Sequence, residues 1–158
     1  MVIRQRIFVR GIVQGIGFRP HVYRLAAEHG LAGFVGNNSE GAFLEVEGPV
    51  DAVAGFTHQL RTLPPPHARF DAFVTNALPV RAEPGFRIVE SEALPAAATP
   101  VSPDLAICDE CLAELRDPAN RRFGYPFLNC THCGPRFTIV EDIPYDRPFT
   151  TMAAFPMC

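Results

Sequence analysis

The sequence predicts an α+β sandwich with the element order βαββαβ, followed by a small metal-binding segment. Three features carry this expectation. Strand-like and helix-like hydrophobic periods alternate from the N-terminus to Val89. The stretch Leu94 to Pro103, LPAAATPVSP, then breaks the composition with small residues and prolines that hold neither a regular helix nor an interior strand. All 5 cysteines lie beyond that break.

Arg6 to Val13 is rich in Ile, Val and Phe and reads as the first strand, and a glycine-containing turn follows at Gln14 to Phe18. A helix comes next, with Pro20 suited to its first turn, Val22, Leu25 and Ala26 on one face, and Gly30 as a left-handed C-terminal cap. Leu31 to Val35 and Ala42 to Glu47 form a hairpin, joined by the turn-forming run Gly36, Asn37, Asn38, Ser39, Glu40, Gly41. Val53, Phe56, Leu60 and Leu63 recur at helical spacing until three prolines at 64 to 66 end the pattern. Ala68 to Thr75 and Phe86 to Val89 supply the late strands. The order is that of a split βαβ, or ferredoxin-like, sandwich with both helices on one face of an antiparallel sheet. Such a fold hosts many functions, so the site has to be argued on its own.

At 158 residues with 47% of them apolar, the chain can bury a real core, as two modest units. The formal charge of −3 and the lack of a Lys/Arg cluster argue against a duplex nucleic-acid binder, whose affinity would come from neutralised phosphates. In MVIRQRIFVR charges interrupt the apolar residues too often for a signal-peptide core or a membrane span, so the expected location is the cytoplasm, with no membrane partner. A reducing compartment disfavours disulfides and makes paired cysteines metal ligands or redox thiols.

The segment VRGIVQGIGFRP, Val9 to Pro20, sets Gly15 and Gly17 between a strand and a helix, with Arg19 where the helix begins. That arrangement favours an anion. The first N–H groups of a helix lack internal partners, glycines let the loop curl with its amides inward, and the helix dipole adds partial positive charge. Arg19 can grip two phosphate oxygens with its planar fork. Neither G-x-x-x-x-G-K-[ST] nor the G-x-G-x-x-G of a dinucleotide site is present. A bland reading also exists, in which the glycines only make a tight turn and Arg19 is solvated.

VRGIVQGIGFR resembles the first signature of the acylphosphatase family, and GFVGNNSEGAFLEVEG, Gly33 to Gly48, resembles its second. The resemblance implies that the loop Gln14, Gly15, Ile16, Gly17, Phe18 and the signature Arg19 bind phosphate, and that Asn37 positions the attacking water. Phe43 stands where the second signature usually has valine, an apolar exchange. Asn38, beside Asn37, is the functional amide if the register is off by one. The implied reaction is in-line attack of water on phosphorus, with the acyl oxygen leaving as a carboxylate or carbamate, and no cofactor for this step. Positioning and charge stabilisation suffice for such chemistry.

Cys108 and Cys111 form one C-x-x-C and Cys130 and Cys133 another, a spacing suited to a tetrahedral Cys₄ zinc site whose binding energy orders a small segment. A redox dithiol is the alternative, since Cys130-Thr131-His132-Cys133 holds a histidine inside the motif; no thioredoxin-like βαβ pattern surrounds it. Cys158 reads as half of a further, interrupted pair. Together with YPFLNCTHCGPRFTI and PYDRPFTTMAAFP, this region is similar to the zinc finger of the HypF family, the hydrogenase-maturation carbamoyltransferases.

The domain layout expected on this basis is an acylphosphatase-like unit at 1–93, a linker at 94–103 and a zinc-finger region at 104–158 that stops before its pattern is complete. The resemblance implies carbamoyl phosphate as substrate. It also implies partners, namely downstream ATP-dependent carbamoyl-transfer domains and a maturation protein that receives the carbamoyl group. Two other readings stay open from the residues alone: a stand-alone general acylphosphatase, and a non-catalytic zinc-binding interaction module. His21, by this reading, is a surface residue beside the anion loop; His29, His58 and His67 have no spacing that suggests a shared metal, and the acidic residues are scattered as on solvated faces.

Overall fold

In a computed structural model of the chain, residues 1–92, 104–130, 133–134 and 137–155 are described. The expected linker at 94–103 and Cys158 lie outside the described residues.

The first strand, β1, runs Val2–Ile12, longer at its start than the sequence pattern marks. Helix α1 covers Phe18–Glu28, strands β2 and β3 cover Ala32–Asn38 and Gly41–Pro49, helix α2 covers Val50–Thr62, and β4 and β5 cover Arg69–Leu78 and Phe86–Ile88. Gly30 takes a left-handed φ of 63° just past α1, as a helix cap of that kind requires. The hairpin turn is tighter than expected: Gly36, Asn37 and Asn38 continue β2, and only Ser39 and Glu40 separate it from β3. Asn38 makes this short turn possible, because its Oδ1 accepts from the backbone N–H groups of Glu40 and Gly41 at 2.9 and 3.0 Å.

The strands form one five-stranded sheet in the order β4-β1-β3-β2-β5. It is mixed rather than purely antiparallel. β1 lies antiparallel between β3 and β4, with Ile7 opposite Leu44 and Thr75, whereas β5 runs parallel to β2, with Ile88 opposite Val35. The ferredoxin-like topology brings β5 back beside β2 after α2 and β4, and parallel pairing follows from that crossover.

Alternation along the strands sorts the two faces. Ile7, Val9, Val35, Leu44 and Val46 enter one core with Phe18, Val22 and Leu25 of α1 and Val53, Phe56 and Leu60 of α2. The opposite face carries charge. Glu45 is 2% exposed and meets Arg4 through Nε at 2.9 Å and Arg6 through Nε at 2.8 Å, while Glu47 accepts from Arg4 at 3.2 Å and from the backbone of Arg81 and Ala82. These glutamates are not on a solvated face, as their scatter in the sequence had implied. They close a buried network, and the carboxylates survive there because donors replace their water: two guanidinium groups at Glu45, and one guanidinium with two backbone amides at Glu47.

Beyond residue 103, helix α3 spans Asp109–Arg116, and two short 3₁₀ turns lie at Phe137–Ile139 and Arg147–Phe149. An isolated bridge between Val140 and Thr150, with Glu141 donating to the carbonyl of Phe149 at 2.9 Å, closes the loop that carries residues 141–149. No helix among the described residues is long and apolar enough to cross a membrane.

Candidate anion and metal sites

Between β1 and α1 the chain turns sharply, and Gly15 and Gly17 take φ of 72° and 74°. Those left-handed conformations cost an L side chain about 1–2 kcal/mol each, which explains why this loop is glycine-rich. Among the described residues, the backbone N–H groups of Gly15 to Arg19 form no backbone hydrogen bond, while His21 N–H already donates to Gly17 O at 3.0 Å. Ile16 and Phe18 bury their side chains in the core, each 2% exposed, and so pin the loop between them. The result is a set of uncommitted amides at the positive end of an 11-residue helix.

A cleft of about 540 Å³ opens over this loop. Gly15, Gly17, Phe18, Arg19 and Asn37 line it. Asn37, 1% exposed near the end of β2, holds its Oδ1 buried without a hydrogen-bond partner among the described residues. Asn38, by contrast, is spent on the hairpin turn. Gln14 takes a supporting position: its Nε2 donates to the carbonyls of Asn38 and Gly41 at 2.8 and 3.3 Å, tying the anion loop to the hairpin that carries Asn37.

The far wall comes from the cysteine-bearing region, through Asn129, Cys130, Tyr145, Asp146 and Arg147. Arg19 Nη2 contacts Asp146 Oδ1 at 2.5 Å and its Nη1 contacts Ser91 Oγ at 3.2 Å. Sequence reasoning marked Cys130 only as a metal ligand and missed Asn129, Tyr145, Asp146 and Arg147. Asp146 stands 127 positions from Arg19, and no local pattern announces a contact of that range. His21 lies outside the cleft. It is half-buried rather than fully on the surface, with its Nε2 buried without a partner among the described residues. Burial and then the charge of Arg24 hold its imidazole below the usual histidine range, against the opposing pull of Glu28 and the backbone of Leu63.

The second site is built by α3 and the turn at Cys130. Cys108 caps α3, Cys111 lies in its first turn, and Gly134, at φ 73°, lets the chain double back after Cys133 so that its N–H reaches Cys130 O at 3.2 Å. Sγ atoms of Cys108, Cys111, Cys130 and Cys133 all lie within 4.8 Å of one another, with Cys108–Cys130 at 3.6 Å and Cys111–Cys133 and Cys130–Cys133 at 3.9 Å. Tetrahedral zinc with bonds of ~2.3 Å places its sulfurs about 3.8 Å apart, so the four thiols fit that ion. Burial pushes the Cys111 thiol up. Burial pushes Cys133 the same way, but hydrogen bonds from the Cys130 and Cys108 backbones and from neighbouring thiols outweigh it and bring it down to about 6. A divalent cation supplies the charge that four clustered thiolates need.

Residues 5–88, more than half of the chain, match the acylphosphatase family. The chain belongs to that family. Residues 107–140 match the HypF finger, so the four cysteines make a structural zinc site. The acylphosphatase domain and finger together are similar to carbamoyltransferase HypF2 of Cupriavidus necator, 49% identical over 158 residues, which is 99% of this chain and 20% of that protein. A crystal structure of full-length HypF in the phosphate- and nucleotide-bound form superposes with a TM-score of 0.93 at 45% identity, covering 100% of this chain and 21% of that one. An acylphosphatase of Bacillus subtilis matches with a TM-score of 0.53 at 30% identity, over 56% of this chain and 99% of its own. The chain therefore spans about a fifth of the length of the carbamoyltransferases it matches.

Proposed function

We propose that the acylphosphatase domain hydrolyses an acyl phosphate in the cleft over Gly15 to Arg19, and that its substrate is carbamoyl phosphate. The observation that carries this reading is a convergence. Amides without backbone partners, a guanidinium and a buried amide oxygen without a partner among the described residues line the same cleft. The amides of Gln14 to Phe18 and Arg19 bind the phosphoryl group and hold charge on its equatorial oxygens. Asn37 Oδ1 accepts a hydrogen bond from water and aims its oxygen at phosphorus. The P–O bond to the acyl oxygen breaks as the new one forms, and carbamate and phosphate leave. Prepaid orientation and fixed dipoles lower the barrier, without a protein nucleophile.

Similarity to proteins named carbamoyltransferase HypF supports a wider assignment: this hydrolysis is the first step of carbamoyl transfer in [NiFe]-hydrogenase maturation, in the cytoplasm. On that reading, ATP-dependent transfer domains and a maturation protein are the partners downstream. Phosphate release from carbamoyl phosphate by the purified protein tests the hydrolytic step. Release that depends on Arg19 and Asn37 supports the site, and release indifferent to both removes it.

A further inference from the structure

We infer that Asp146 is a positioning residue for this site, a carboxylate lent by the cysteine-bearing region to Arg19 of the acylphosphatase domain. The inference rests on the hydrolytic reading of the cleft and adds to it a residue that lies outside the acylphosphatase fold.

Three side chains form a closed ring. Arg19 Nη2 donates to Asp146 Oδ1 at 2.5 Å, Arg19 Nη1 donates to Ser91 Oγ at 3.2 Å, and Ser91 Oγ donates to Asp146 Oδ2. Ser91 comes from the end of the acylphosphatase domain, three residues past β5. Each vertex is therefore fixed by the other two. The ring uses one N–H on each terminal nitrogen of the guanidinium, and five are available. The Nε–H and one N–H on each terminal nitrogen remain for a phosphoryl group.

Arg19 needs such a brace. It is the second residue of α1, its side chain is 23% exposed, and its only side-chain partners among the described residues are Ser91 and Asp146. A long unbranched stem at a cleft mouth samples several rotamers, and each one that points away from the loop amides is lost to binding.

Asp146 is itself held in place. Tyr145 N–H donates to Gln14 Oε1 at 2.9 Å, and Phe149 N–H donates to Asp146 O at 2.9 Å. The carboxylate thus hangs from a backbone tied to the anion loop on one side and to its own 3₁₀ turn on the other. Competition is the opposite reading, in which Asp146 occupies Arg19 and has to leave before an anion enters. The two differ in sign. Competition predicts that removing the carboxylate tightens anion binding, whereas positioning predicts that it weakens it.

The test uses the full zinc-loaded chain and the variant Asp146→Ala, with acetyl phosphate as substrate and calorimetry for inorganic phosphate. Positioning predicts that kcat/KM falls about tenfold, divided between a higher KM and a lower kcat, and that phosphate binding weakens by a similar factor, the size expected for freeing one long side chain. Zinc content and melting temperature stay at their wild-type values. Asp146→Asn, which keeps an acceptor for Nη2, recovers activity to within about threefold of wild type. Unchanged constants or tighter phosphate binding in Asp146→Ala overturns the inference. If wild type releases no phosphate from acetyl phosphate, the hydrolytic reading fails, and the calorimetric comparison still decides the role of Asp146. If Asp146→Ala does not fold, Ser91→Ala opens the same ring from the other domain, and the same directions apply.

Discussion

Gln14 Oε1 accepts the backbone N–H of Tyr145 at 2.9 Å, across 131 positions of sequence, while its Nε2 holds the β2–β3 hairpin. One side chain thereby joins the anion loop, the strand that carries Asn37 and the cysteine-bearing region. The cleft wall also includes Cys130, itself one of the four clustered cysteines, and its neighbour Asn129.

Zinc removal is therefore expected to disturb the proposed hydrolysis by loosening the cleft wall. Protein purified under reducing conditions should carry one zinc per Cys108, Cys111, Cys130 and Cys133 cluster. A strong chelator, or Cys111→Ser, should unfold the segment after residue 103 and lower kcat/KM for acyl phosphates about tenfold, because metal binding is folding energy for so small a unit. Elemental analysis with phosphate release checks both. Less than half an equivalent of zinc would favour a dithiol instead.

Gly17→Ala forces a Cβ onto a residue at φ 74°. It should cost about 1–2 kcal/mol of stability, read by denaturant titration. Because relief of that strain rotates the loop amides, phosphate release should fall about tenfold or more.

Burial alone would raise the carboxyl of Glu45, but Arg4 and Arg6 outweigh it and hold it below the usual glutamate range. A depressed folded value gives stability that is present above the unfolded value of 4.5 and is lost as pH falls through the folded one. Glu45→Gln should therefore destabilise the protein by about 2 kcal/mol at pH 7, less than a fully dehydrated pair because Arg4 keeps other carboxylates. The gap between variant and wild type should narrow as pH falls below 4.5, as urea titrations at several pH values will show.

His21 acts in the same sense, at a higher pH. Its lowered value means that the unfolded chain binds the proton more readily, so stability declines as pH falls below the ordinary value of 6.5. His21→Gln should flatten the stability profile just below that pH. An unaltered profile would show that the half-buried imidazole does not contribute to the pH dependence of unfolding.

Much of this was legible beforehand, for reasons that can be named. Val22, Leu25 and Ala26, or Val53, Phe56 and Leu60, announce their helices because a buried face repeats at a short period. The cysteine pairs announce a metal because tetrahedral coordination demands close ligands. Glu45 gave no such signal, since a charge looks solvated until the strands beside it supply arginines. Asn37 and Asn38 differ by one position, and only the hairpin's tight turn, which consumes the second amide, separates their surroundings. Asp146 was beyond reach because its partner is fixed by how two regions meet, a property that local periodicity does not encode.

The most direct test is phosphate release from carbamoyl phosphate by wild type, Arg19→Ala and Asn37→Ala, each verified as folded and zinc-loaded. Release by wild type with a loss of about a hundredfold or more in both variants is the expected result. Equal release by all three proteins, or none by wild type, would contradict hydrolysis in this cleft.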